Sequence, residues 1–125
     1  NRRRPVVVSA GAMDMEWTSA SVETSDGERI SYRSAVVPAG AAGAAPPLAL
    51  VLVHGWSGSS RYFDACASPL SAALPPGSLL VAPDLRFHGD SAGAGGEKTV
   101  ARLAEDVVSV LAAAVGGGAP PPVGG

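Results

Sequence analysis

The hydrophobic and polar positions at the start of the chain alternate in two short segments. Residues 17–24, WTSASVET, and residues 29–37, RISYRSAVV, both change between apolar and polar side chains as half-buried strands do. Ser25–Glu28 lies between them with the turn sequence SDGE, in which Gly27 can take a positive φ. The pattern therefore predicts a β-hairpin.

Two continuous apolar runs follow, Leu48–Val53 and Ser78–Pro83. Continuous rather than alternating hydrophobicity predicts parallel strands that are covered on both faces. The stretch between them has helical periodicity, and Pro69 divides it into two pieces, the second capped by Ser68. One face of this stretch carries Phe63, Ala67, Leu70 and Leu74. A strand, a helix and a strand in this order predict a right-handed parallel β-α-β unit.

A second helix is predicted after the second apolar run. Thr99 is its expected N-cap, and Gly116 is expected to end it. Its apolar stripe consists of Val100, Leu103, Val107, Val110 and Leu111. The fold class is therefore α/β, an N-terminal hairpin followed by β-α-β-α with parallel buried strands.

The predicted domain organisation has three parts. Residues 1–15 are expected to be an unstructured N-terminal segment, residues 16–115 one domain, and residues 116–125 a Gly/Pro-rich tail where the chain is cut. Within the domain, residues 38–47, PAGAAGAAPP, are expected to form an exposed loop. The chain starts at Asn1 rather than Met and ends in the loop composition GGGAPPPVGG, so both ends are expected to be cut, although Met13 or Met15 could be a natural start.

Charge and composition exclude several classes of partner. The net charge is −2, and three of the nine basic residues stand at positions 2–4, so the body offers no basic surface for nucleic acid. The longest apolar run falls far short of the roughly 20 residues that a membrane helix needs. Cys66 is the sole cysteine, which excludes a disulfide framework and, with no signal peptide visible, favours a cytoplasmic location.

Ser91 is the most obvious candidate nucleophile, because residues 89–93, GDSAG, fit the pattern G-x-S-x-G. A nucleophile elbow, however, needs a strand, one sharp turn and a helix in immediate succession. The preceding strand is predicted to end at Pro83, and the glycine-rich sequence AGAGGE follows the serine. Ser91 is therefore predicted to bond local backbone instead of attacking a substrate.

The same residues also suggest a chymotrypsin-like protease, whose serine stands in G-D-S-G-G. His54, Asp84 and Ser91 even have that family's chain order of His, Asp and Ser. The predicted elements are strands and helices in alternation rather than all strands, and His54 and Ser91 are too close in sequence to belong to two β-barrels. This interpretation is therefore rejected.

Two motifs, each directly after a predicted buried strand, carry a more specific resemblance. The sequence VLVHGWSGSSRYFD contains His54-Gly55-Trp56, and VAPDLRFHGDS contains the pattern D-x-R-x-H-G-x-S. With the order of elements around them, residues 17–115 resemble the N-terminal half of an α/β-hydrolase. The nearest branch holds non-haem chloroperoxidase-like enzymes, epoxide hydrolases and small esterases.

The resemblance implies roles for the first motif. In this family the loop that begins with the His-Gly pair forms half of the oxyanion hole. The backbone N–H groups of that hole stabilise the negative charge that develops during acyl transfer. Gly55 would let the backbone approach the substrate, the Trp56 N–H would be the donor, and the indole would wall the acyl pocket. His54 is expected to be a hydrogen-bonded structural histidine rather than a base.

The second motif would brace the loop below the active site. The residues concerned are Asp84, Arg86, His88, Gly89 and Ser91. Asp84 and Arg86 could pair with each other, or Arg86 could bond neighbouring carbonyl groups. Phe87 departs from the glycine that many relatives have at this position.

The resemblance also implies what the intact protein would do. It would hydrolyse an ester or related bond of a small-molecule substrate with a serine, an acid and a histidine, in that chain order, without metal or cofactor. All three would lie beyond Gly125, so this chain alone is expected to be inactive. It is also expected to be marginally stable and to self-associate through the exposed sheet edge. The alternative is a non-catalytic chain that binds a small molecule or a partner through that edge.

Overall fold

The computed structural model describes residues 15–38 and 47–116, which form a four-stranded mixed sheet with a helix on each face. The elements in chain order are β1 (Thr18–Glu23), β2 (Arg29–Val36), β3 (Ala49–Val51), α1 (Ala67–Ala73), β4 (Leu79–Pro83) and α2 (Val100–Gly116). Two single 3₁₀ turns, Ser60–Phe63 and Gly89–Ser91, lie in the loops after β3 and β4. The predicted order of strands and helices is confirmed.

The strands lie in the order β1-β2-β4-β3. The hairpin pairs β1 with β2, and Gly27 takes φ +84° in the turn between them, as predicted. The crossover strand β3 is parallel to β4, with Ala49 opposite Leu79, which confirms the β-α-β unit. The antiparallel contact of β2 with β4, in which Tyr32 faces Pro83, was not predicted and joins the hairpin to this unit.

Successive residues of β4 point to opposite faces of the sheet, so each face has its own apolar core. Val81 lies on the α2 face, and Leu80 lies on the α1 face. The α2 core contains Ile30, Tyr32, Val81, Ala94 and Val110, and the α1 core contains Met15, Ala35, Ala67 and Leu80. The central position of β4 thus holds both layers together, while β3 is only three residues long and half-buried.

The first helical stretch is divided into two pieces, as predicted, but the predicted cap of the second is wrong. The N-cap position belongs to Cys66, and α1 begins at Ala67, before the proline. Ser68 and Pro69 therefore lie within the first turn of the helix. A proline is tolerated there because its missing N–H would have had no partner inside the helix.

The N-terminus of α2 is confirmed, because the Thr99 hydroxyl accepts a hydrogen bond from the Arg102 N–H at 3.0 Å. The predicted buried stripe is only partly correct. Val110 is fully buried, but Val100 is 83% exposed, and Arg102 and Asp106 occupy the buried face. The charged pair faces inward because it meets an arginine from the loop after β4, which is described below.

Some predictions fall on residues that the structure does not describe. The unstructured segment 1–15, the tail 116–125 and the loop 38–47 lie outside the described residues except at their margins, where Met15 packs in the α1 core. Within residues 15–38 and 47–116, no helix combines the length and apolarity that a membrane span requires.

Candidate functional site

The two sequence motifs lie side by side at one edge of the sheet. Because β3 and β4 are parallel neighbours, their carboxyl ends meet at the same edge. The first motif follows β3 and forms the HG turn (residues 54–58), and the second follows β4 and forms the β4 loop (residues 84–91). All eight predicted site residues lie in these two segments.

His54 links the HG turn to the β4 loop. Its buried ring accepts the backbone N–H of Leu85 at Nε2, 3.0 Å away, and its Nδ1 lies 2.7 Å from the Gly55 carbonyl oxygen. The ring nitrogen that accepts must be unprotonated, so the proton is on Nδ1 and is donated to Gly55. Both nitrogens are therefore occupied, which supports the structural role predicted for His54 over a role as base.

His88 makes the same link in the opposite direction. Its Nε2 accepts the backbone N–H of Ser57 at 3.0 Å, and its Nδ1 lies 2.9 Å from the Arg86 carbonyl oxygen. The ring centroids of His54 and His88 are 5.0 Å apart. Each motif thus supplies one imidazole that accepts a backbone N–H of the other.

The HG turn is a closed β-turn, and the amide of its second residue is not used within it. The Gly58 N–H bonds the Gly55 carbonyl at 3.0 Å, and Ser57 has φ +72°, as the third residue of a type II turn does. The Trp56 N–H has no hydrogen-bond partner among the residues that the structure describes. The Trp56 side chain is 68% exposed, and its ring packs edge-on against His88 at 4.7 Å.

Positive φ recurs at Phe87 in the facing loop, with a value of +73°. A bulky residue in this left-handed region is strained, which explains physically why a glycine suits the position. Lys98 lies 4.9 Å from the centre of the Phe87 ring and provides a compensating cation–π contact. Non-glycine residues with positive φ therefore occur in both segments of the site, where such strain is often found.

Asp84 binds both 3₁₀ turns, the one that follows the HG turn and the one at the end of the β4 loop. Its buried carboxylate accepts the backbone N–H groups of Ser60 at 2.6 Å and of Asp90 at 2.9 Å. Gly89 has φ +49°, and a Cβ atom there would lie 2.7 Å from the carboxyl group of Asp84. The close approach of carboxylate and backbone therefore requires glycine at position 89.

Ser91 is buried and continues the hydrogen-bonding of the sheet. Its Oγ accepts the backbone N–H of Ser31 at 2.8 Å, at the point where β4 has left its neighbour β2. The residue ends a 3₁₀ turn and is not at a corner between a strand and a helix. Since the ring nitrogens of both histidines bond other groups, this geometry supports a structural role for Ser91.

Arg86 is fully buried and uses all five of its N–H donors. It forms a bidentate pair with Asp106 of α2, in which both N–O distances are 2.9 Å. It also bonds both carboxylate oxygens of Asp26 in the hairpin turn, at 2.7 and 3.0 Å, and the Gly95 carbonyl at 2.6 Å. Of the two alternatives for Arg86, the structure shows the bond to a carbonyl, and the partners are Asp26 and Asp106 rather than Asp84.

Arg86 and its carboxylate partners shift one another's pKa values. Hydrogen bonds from Arg86 and from the Thr24 hydroxyl hold the pKa of Asp26 well below its ordinary value of 3.8. The two carboxylates in turn raise the pKa of Arg86 above its ordinary value, Asp26 contributing most. Arg102 completes the cluster with an Nε–Oδ1 distance of 3.3 Å to Asp106. We call Asp26, Arg86, Arg102 and Asp106 the Arg86 cluster.

Sequence patterns did not reveal three members of the Arg86 cluster. Arg102 and Asp106 stand four residues apart on the same side of α2 as Val110, which is a usable signal for an inward-facing ion pair. Such a pair on a helix is more often solvated. Asp26 gives no such signal, since it lies in a turn sequence 60 residues from Arg86.

A second buried arginine, also unpredicted, supports the segment after the HG turn. Arg33 of β2 bonds the Ser60 hydroxyl at 3.1 Å, the Ser60 carbonyl at 3.0 Å and the Asp64 carboxylate at 2.5 Å. The Trp17 ring stacks 4.5 Å from its guanidinium. Asp84 and Arg33 thus hold the two sides of Ser60.

The described residues contain no group of three or more histidine, cysteine, aspartate or glutamate side chains placed to bind a metal ion. An open depression of about 380 Å³ lies elsewhere, between the hairpin and the β4 loop. Its lining residues are Ser21, Gly27, Glu28, Arg29, Ser31, Asp90, Gly93 and Ala94. No residue of the HG turn contributes to it.

Comparison with known proteins relates the chain to one family and to a solved structure. The sequence profile described as the alpha/beta hydrolase family matches residues 50–125, more than half of the chain. A crystal structure described as "Putative hydrolase from Agrobacterium vitis S4" is 24% identical, with a TM-score of 0.39. The alignment covers 78% of this chain and 35% of the other, so the chain spans about a third of that protein's length. None of the curated proteins matches.

Asp26 makes the stability of the fold sensitive to acid. Its pKa is lower in the folded than in the unfolded chain, so its stabilising contribution is fully present well above pH 3.8 and is lost as the pH falls below that value. In urea titrations at successive pH values, Asp26→Asn should lower the free energy of unfolding by a constant amount near neutral pH. That difference should narrow below pH 3.8. A difference that stays constant or widens under acid would contradict this.

Proposed function

The chain belongs to the alpha/beta hydrolase family, and on that premise we propose that it supplies the N-terminal frame and one oxyanion-hole donor of a serine-type hydrolase. The reaction class is hydrolysis of an ester or a related bond in a small-molecule substrate. Within the family, the two motifs favour the branch of chloroperoxidase-like enzymes, epoxide hydrolases and small esterases. The chemistry proposed needs no metal or cofactor.

The single observation that carries the proposal is the backbone N–H of Trp56, which has no hydrogen-bond partner among the described residues. The turn that carries this amide is closed by the Gly58–Gly55 bond and held by His88, so the amide belongs to a fixed backbone and can donate to a ligand atom. A developing oxyanion is stabilised by such fixed donors without further reorganisation. The exposed Trp56 ring lies next to the donor and offers an apolar wall to an acyl group.

The nucleophile in this proposal is not Ser91, whose hydroxyl accepts the Ser31 N–H inside the fold. Family order places the serine on the strand after the helix that corresponds to α2, followed by the acid and the histidine. The proposal therefore assigns all three to residues that follow Gly125 in the full-length hydrolase. The second oxyanion N–H would come from the residue after that serine.

The alternative function is binding through a sheet edge. Among the described residues, β3 is one of the two outer strands of the sheet, and Leu48 and Val53 beside it are half exposed. An edge of this kind can pair with a strand of a partner or of a second copy. The chain would then persist as a non-catalytic binding module, and self-association through β3 would be expected. The experiments below distinguish this alternative by the presence of turnover in the full-length protein.

Trp56→Pro removes the proposed donor without removing the turn. Trp56 is the second residue of the turn that Gly55 and Gly58 close, where proline is favoured. In the full-length hydrolase, read from the transcript beyond the codon for Gly125, this change should lower kcat by a factor of about 10² to 10³. Trp56→Ala keeps the N–H and is the matched control, with the larger effect expected on KM. Equal kcat values for the two variants would contradict the assignment.

Ser91→Ala tests the other half of the proposal in the 125-residue chain. The Ser31 N–H would be buried without its acceptor, so the free energy of unfolding should fall by about 1–3 kcal/mol. Hydrolysis of p-nitrophenyl acetate should stay at the background level for both chains. Ser91→Thr keeps the hydroxyl and should retain most of the stability. Turnover by the unaltered chain that Ser91→Ala abolishes would overturn the structural role of this serine.

A further inference from the structure

We propose that His88 is a positioning residue for the oxyanion hole, because its ring binds the Ser57 N–H and so holds the HG turn in which the Trp56 N–H has no partner among the described residues. The inference rests on the proposed function, because only that function makes the Trp56 N–H an oxyanion donor. The hydrogen bonds of the turn do not depend on the proposed function. His88 touches no reacting atom in this proposal and acts through Ser57.

Two consecutive N–H groups, those of Trp56 and Ser57, differ in their partners. Only the second has an acceptor among the described residues, the Nε2 atom of His88 at 3.0 Å. Without that acceptor, both amides would be free to rotate toward water, because no strand pairs with this turn in the described part of the chain. The imidazole therefore fixes which of the two amides the protein binds and which it leaves for a ligand.

Strain in the turn makes an external support necessary. Ser57 has φ +72°, a left-handed conformation that is unfavourable for a residue other than glycine. The bond from its N–H to His88 holds it from the opposite loop. The same ring also packs edge-on against the Trp56 indole, at 4.7 Å and 79°. One side chain thus fixes both the amide of residue 57 and the side chain of residue 56.

His88 can provide this support only in one protonation state. Its Nε2 must be unprotonated to accept the Ser57 N–H, so the proton lies on Nδ1 and is donated to the Arg86 carbonyl at 2.9 Å. The backbone of His88 is fixed as well, since its N–H bonds the Leu85 carbonyl at 2.9 Å. The Leu85 N–H in turn bonds His54, which closes a ring of contacts between the two segments.

The first measurement uses the unaltered chain labelled with nitrogen-15. Long-range nitrogen–proton spectra should show His88 with an unprotonated Nε2 and a protonated Nδ1. Amide hydrogen exchange should be slow at Ser57 and fast at Trp56. A His88 ring protonated at Nε2, or a Ser57 amide that exchanges as fast as that of Trp56, would overturn the proposal. This measurement needs no variant, so it decides the question even where a variant does not fold.

The second measurement compares two replacements of the ring. His88→Phe keeps a flat ring against Trp56 but has no acceptor, and His88→Gln provides an amide oxygen that can accept the Ser57 N–H. Exchange at Ser57 should be about tenfold faster in His88→Phe than in the unaltered chain. The exchange rate at Val81 in β4 measures any general loss of stability, and the Ser57 rate is corrected for it. In His88→Gln the Ser57 rate should return toward its original value. Equal changes at Ser57 and Val81, or no recovery with glutamine, would contradict positioning by His88.

Kinetics of the full-length hydrolase separate this inference from the proposed function. His88→Phe should lower kcat with little change in KM, and His88→Gln should recover part of the loss. If exchange at Ser57 responds as expected but kcat does not, His88 positions the turn and the oxyanion role of Trp56 is wrong. If exchange at Ser57 does not respond, the positioning role is wrong whatever happens to kcat.

Discussion

The buried guanidinium of Arg86 is the constraint on which the other contacts of the site depend. A charge inside a protein loses its hydration, and this loss is offset only when every donor meets a well-placed acceptor. Arg86 meets that condition with two carboxylates and one carbonyl, taken from the hairpin turn, from α2 and from the loop between β4 and α2. Removing any of these partners would leave an uncompensated group in the interior.

The need of Arg86 for well-placed acceptors fixes the positions of its partners more than it raises the free energy of unfolding. A buried ion pair often contributes little net free energy compared with apolar side chains of the same size. Its partners must nevertheless occupy one arrangement, so the hairpin, the β4 loop and α2 are held in register. Leu85 precedes Arg86 and His88 follows two residues later, and both bond the HG turn or its histidine. The order that Arg86 imposes therefore passes directly to the turn that carries the Trp56 N–H.

The two motifs share one physical function, which is to provide acceptors for backbone N–H groups outside the sheet. Loops lack the hydrogen bonds of a strand ladder, so their amides need side-chain acceptors when they are buried. In this structure His54, His88, Asp84 and Ser91 accept backbone N–H groups from elsewhere in the chain. The Trp56 N–H has no such acceptor among the described residues, and it is the amide that the proposal assigns to a ligand.

The sequence predicted what local pattern determines and missed what long-range pairing determines. The hairpin, the parallel strands and the Thr99 cap depend on neighbouring residues, so alternation, apolar runs and capping preferences were sufficient. The partners of Arg86 come from 60 residues before it and 20 residues after it, and no local pattern links them. Because this charge cluster turns Arg102 and Asp106 inward, the apolar stripe alone misplaced the buried face of α2.

The most direct test of the dependence on Arg86 is amide exchange at Ser57 in Asp106→Asn. This change lies on α2, keeps the shape of the side chain and removes one charge from the Arg86 cluster. If Arg86 holds the β4 loop and the loop holds the HG turn, exchange at Ser57 should accelerate by a larger factor than exchange at Val81 in β4. If Ser57 and Val81 change by the same factor, or if Ser57 does not change, the HG turn is held independently of Arg86.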